Sequence, residues 1–204
     1  MKQHTRRSQI ALFVAVLFGV VLPLRSYSQK PMPADVVQKL YREVVARHPM
    51  GVPRGAAKAA MWPLLSERLV QVFETRNSCD QDWDRRHRNA DPPEKAPGFY
   101  EVGLFSGSTE QGYVNGATVG SAKQQADGSY LVNVKLWSYF DDGDISLRTG
   151  KIYRWRVADR VIFENERFVV DDVLGFKGVF DSDKSVFMSK MLATGCKGTR
   201  STFN

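Results

Sequence analysis

Cysteine is nearly absent from these 204 residues: Cys79 and Cys196 are the whole supply, and no Cys-x-x-Cys unit is present to suggest redox exchange. Histidine is almost as scarce, with three copies in all. Beyond Leu24 no apolar run is long or charge-free enough to span a bilayer. There is no internal repeat, no low-complexity tract, and no set of nucleophile, base and orienting group at a recognisable spacing. These absences remove redox, membrane-transport and solenoid classes and leave nothing that announces catalysis. No cofactor and no metal is expected.

What is present begins at the N-terminus. Lys2, Arg6 and Arg7 precede the apolar run from Ile10 to Leu24, and Ser26 and Ser28 follow at the spacing of a cleavage site. The pattern predicts a signal peptide over residues 1–28 and a single domain over 29–204, periplasmic or secreted; an uncleaved N-terminal anchor is the alternative. The chain carries a formal charge of +7. Removing residues 1–28 takes away four basic side chains and no acid, leaving 25 basic against 22 acidic residues, or +3. So small and interspersed an excess argues against a nucleic-acid partner. In an oxidising space Cys79 and Cys196 are expected to form one bridge, and the chain-entropy model assigns about 4 to 5 kcal/mol to a loop of that order.

Periodicity then orders the elements. "PADVVQKLYREVVARHP" reads as a helix capped at Asp35, with Gln38 three residues on and Pro49 as its end. "MGVPRGAAKAAM" reads as a connector, and a second helix is expected from Pro63, with Leu65, Leu69, Val72, Arg76, Cys79 and Trp83 on one stripe. "NADPPEKAPG" stops it. The period then changes to two: Val132, Val134 and Leu136 alternate with Asn133 and Lys135, and Tyr153, Trp155 and Val157 alternate with Arg154 and Arg156. "ENE" predicts a hairpin turn into "RFVVDDVL", and Asp127-Gly128 a second one before the Tyr130 strand. "FYEVGLF" is a further expected strand, and "KSVFMSKMLATG" a short C-terminal helix. The fold class is therefore α+β, with N-terminal helices packed on a curved antiparallel sheet.

The order helix, helix, Pro-rich turn, "APGFYEVGLFSGSTE", then strands closing with "ERFVVDDVLG", resembles the exported bacterial domain-of-unknown-function 3828 family. That group is similar to the cone-shaped domains related to nuclear transport factor 2. The resemblance spans Asp35 to Leu192 and implies a sheet wrapped around a helix to leave a cavity or groove; it brings no catalytic residue with it.

Candidate sites follow from residue type. "NSCDQDWDRRHRN" crowds Asp80, Asp84 and His87 onto one helical line, a three-ligand metal set in principle, but charge pairing near a helix C-terminus accounts for the same letters. Cys79 and Trp83 are expected to face inward and the charges to face water. Asp171 and Asp172, as strand neighbours, are expected on opposite faces, with Asp172 bonding local backbone or entering the cavity. "YFDDGD" reads as an acidic hairpin loop. Arg154, Arg156 and Lys135 form a basic patch, and with Asp172 and Trp83 they make the candidate binding set. The leading function is a non-catalytic binding or interaction domain, one form being an immunity-type protein, with an envelope protein or a small ligand as partner. The alternatives are a small cone-cavity enzyme of isomerase or hydratase type, using Asp172 or His87 as base, and a structural envelope component.

Overall fold

In a computed structural model the described residues are 31–89, 103–107, 114–139, 152–175 and 185–193. The expected signal peptide, the acidic loop at 141–144, most of the "FYEVGLF" segment and Cys196 lie outside them. The order is α1 (Pro33–Arg47), α2 (Gly55–Met61), a 3-10 turn (Trp62–Leu64), α3 (Glu67–Arg86), then strands β1 (Gly116–Gln124), β2 (Tyr130–Tyr139), β3 (Ile152–Glu164) and β4 (Arg167–Leu174). A last helical turn occupies 188–193. The strands form one antiparallel sheet in sequence order, so the described fold is α+β.

Helix α1 starts two residues before the expected cap. Pro33 takes the first helical position, where its missing N–H costs nothing, and Asp35 reaches back to accept the Met32 amide at 2.8 Å. The connector is also more ordered than its composition suggests, since its alanines form α2. Pro63 lies in the 3-10 turn, and α3 begins after Ser66, whose hydroxyl accepts the Leu69 amide at 3.0 Å.

Val37, Leu40, Tyr41 and Val44 recur at helical spacing and are buried. The sheet's buried side opposes them with Val132, Val134 and Leu136 from β2 and Val157 and Val161 from β3, in one hydrophobic cluster. Fully burying an aliphatic side chain contributes about 1.5–3 kcal/mol, so this layer dominates the stability. The expected alternation in β2 holds, with Asn133 and Lys135 exposed between buried neighbours. Asn165 and Glu166 both adopt positive φ and turn β3 into β4, the two-residue hairpin read from "ENE". From "FYEVGLF" the described part, 103–105, is a turn rather than a strand.

The two sheet edges differ. On β4 the Leu65 to Val170 bridge runs parallel, with the Ser66 amide donating to the Val170 carbonyl at 2.9 Å, and Leu174 pairs with Phe187. Strand β1 has no strand on its outer side among the described residues.

Ser66 serves both helix and sheet, since its hydroxyl also donates to Asp171 at 2.7 Å. Ser66→Ala is therefore expected to cost about 2 kcal/mol, a cap and a buried carboxylate bond together, measured by urea unfolding.

Candidate functional site

A one-residue bulge controls the acidic end of the sheet. Arg160 pairs with Asp172 while Val161 pairs with Val170, leaving Asp171 as the extra residue. The expectation that Asp171 and Asp172 point to opposite faces is thus corrected, because a bulge breaks the strict alternation on which it rested. Arg68, in the first turn of α3, bonds both: Nε to Asp171 at 2.9 Å and Nη2 to Asp172 at 3.1 Å. Asp172 further accepts the amides of Val173 at 2.9 Å and Ser189 at 3.1 Å, and the Ser189 hydroxyl. Both carboxylates are nearly buried and held by local donors, which leaves Asp172 little capacity to take a proton from a substrate.

Sequence reasoning passed over Asp159, which lies two residues past Val157 on the buried face. It pairs with Val132 across the sheet and is fully buried. Its Oδ1 lies 3.3 Å from the Tyr41 hydroxyl, which also lies 2.8 Å from the Phe105 carbonyl oxygen. The Tyr41 hydroxyl donates to both acceptors, with the shorter contact to the Phe105 carbonyl, so Asp159 receives only a long, shared bond in its buried site. Burial, opposed only in part by the Tyr41 bond and reinforced by the charge of Asp172, holds the Asp159 carboxyl well above the usual carboxylate range. The Tyr41 hydroxyl is pushed up by burial first and by Asp159 second. The signal for Asp159 was legible: an acid at an apolar position of the Trp155, Val157, Val161 alternation.

The basic set lies on the opposite face. Lys135 and Arg156 are direct cross-strand partners, and Arg154 lies two residues along β3 opposite Trp137. All three are exposed, and none has a carboxylate partner among the described residues. Arg160, further along the same face, is neutralised by Asp127 at 2.9 Å and Asp171 at 3.8 Å. Like charges directly opposite each other in a ladder destabilise it, so the Lys135 and Arg156 pair is a local cost that nothing in the described fold offsets.

Trp83 does not join this surface. It is buried on α3, with His87 stacked on it at 3.8 Å and donating from Nδ1 to the Trp83 carbonyl. The expectation that charges on this helix face water is corrected in part, because Asp80 and Arg76 are buried together at 2.5 Å while Cys79 is only half-buried. Asp84 is exposed, and among the described residues no group of three or more metal-binding side chains converges. No described helix is long and apolar enough to cross a membrane.

No family model, curated protein or solved structure matches this chain. The site is therefore read from its own geometry.

A groove of about 560 Å³ adjoins the sheet between α1 and β1. Gln38, Tyr41, Arg42 and Val45 line its helical wall, and 116–119 line the other. Four consecutive strand residues alternate between faces, so a groove touching all of them runs along the strand's backbone edge.

A buried acid that keeps its proton in the folded state, while the unfolded chain releases it near pH ~4, makes stability fall as pH rises. The stability is present in full below the ordinary carboxylate range and is lost progressively up to the raised value of Asp159. Asp159→Asn should remove that dependence, so thermal unfolding from pH 4 to pH 8 should show the variant gaining on the parent with each step upward.

Proposed function

We propose that the protein is an exported, non-catalytic interaction domain whose exposed sheet face receives an acidic polypeptide of the cell envelope. The observation that carries this reading is the directly opposed pair Lys135 and Arg156, with Arg154 beside it and no acid among the described residues to neutralise them. Ion-paired neighbours would be the ordinary solution on a solvated sheet, and among the described residues this face uses it at Arg160. An acidic partner supplies the missing counter-charge, and electrostatic complementarity of this kind sets association rate and partner choice. The charged N-terminal leader followed by an apolar run supports export, and α1 laid against the sheet beside a groove supports the cone-shaped architecture and the family resemblance.

The binding reading is preferred over catalysis because the two residues nominated as bases are both occupied. Asp172 is bonded by Arg68, Val173 and Ser189, and His87 is packed on Trp83.

Poly-glutamate is a suitable probe. The parent protein should bind it with an affinity that falls as salt is raised, and the triple variant Lys135→Glu, Arg154→Glu, Arg156→Glu should lose about tenfold or more. Equal binding by parent and triple variant would remove the basic face from the account.

A further inference from the structure

We infer that the partner binds as a fifth strand: an extended segment with alternating apolar and acidic residues pairs with the edge of β1, which no strand occupies among the described residues. This rests on the basic-face reading and specifies the form of the partner. An edge strand presents unpaired N–H and C=O groups to an incoming chain, and an adjacent groove selects its side chains. Here the groove follows the β1 backbone along 116–119, beneath the flank of α1. Gln38 and Arg42 at its rim are exposed, whereas Val45, Ala117 and Val119 give it an apolar lining.

The register fixes the rest. Thr118 pairs with Lys135, and Lys135 pairs with Arg156, so the three form one row across the outer face. A strand added beside β1 would lie about 5 Å from it and extend this row. Its outward side chain opposite Thr118 can then be met by the long stem of Lys135 leaning over the short threonine, with Arg156 behind. The side chains before and after it on the added strand point the other way, into the α1–β1 groove. Period two thus demands apolar residues on the groove side and acids on the outer side.

Charge separates a foreign partner from a second β1 and from the two ends of the chain. Strand β1 contains no acid, so a second copy pairing edge to edge brings Lys123 and no carboxylate. Residues 1–30 and 194–204 contain none either. The alternating acids that the row of cations calls for come, in this proposal, from a partner of another protein.

The test uses a synthetic ten-residue peptide of alternating valine and glutamate, and the same peptide N-methylated on alternate amides along the edge facing β1. The parent peptide should bind, N-methylation should weaken it about tenfold or more through lost ladder bonds, and Gln38→Trp, which fills the groove from an exposed helix position, should weaken it similarly. If poly-glutamate binds but both peptides bind equally and Gln38→Trp changes nothing, strand addition is wrong and the basic-face reading stands. If neither poly-glutamate nor the peptide binds, both fall. A dimer in sedimentation without peptide, dissociated by edge-blocking Thr118→Pro, would assign the edge to a second copy and overturn the proposal.

Discussion

The bulge at Asp171 is the constraint from which the rest of the arrangement follows. By inserting one residue it turns two successive carboxylates toward Arg68 and Ser66, and so fastens the start of α3 along the outer edge of β4. The Asp171 carbonyl is also taken by Arg68, the Val170 carbonyl by the Ser66 amide, and Ser189 anchors the last helical turn to Asp172. A sheet with two edges must manage both, and here one is closed by side chains and adjoining backbone. The other, β1, is left with a groove beside it.

Charge is distributed on the same logic. Acids are used inside or at the sealed edge: Asp171 and Asp172 in the clamp, Asp159 buried beneath α1 against the Tyr41 hydroxyl. Arg160 shares in that neutralisation through Asp127 and Asp171. Further along the face, toward the opposite end of β3, Arg154, Arg156 and Lys135 are left to solvent. The result is a polarised sheet, satisfied at one end and under-neutralised at the other. Scaffold and ligand therefore make opposite demands: truncating Ser66 or Arg68 loosens the scaffold, whereas reversing Lys135 relieves its repulsion with Arg156 and removes a cation from the binding face.

Periodicity made the elements legible and proximity hid the site. The Val132, Val134, Leu136 alternation, the hairpin at Asn165-Glu166 and the stripe through Leu40 and Val44 are local patterns, each written in adjacent residues. The basic patch was legible too, because Arg154 and Arg156 share a strand face, although the direct pairing of Arg156 with Lys135 required the register. Three things were not legible. A bulge has no sequence signature in "RFVVDDVL", so the two aspartates were assigned to opposite faces. Arg68 gave no sign of contacting residues more than a hundred positions away. The groove depends on how α1 crosses the sheet, which helical spacing does not encode. Asp159 was written in the alternation of β3, at a position where every neighbour on that face is apolar or aromatic.

Native-state hydrogen exchange tests the asymmetry of the two edges most directly. The Ser66 amide, bonded to β4, should be protected to nearly the free energy of global unfolding, while within 116–119 every second amide should exchange close to the rate of an unstructured chain. If all four amides of 116–119 are as protected as Ser66, the β1 edge is already occupied and the account of an open, ligand-ready strand is contradicted.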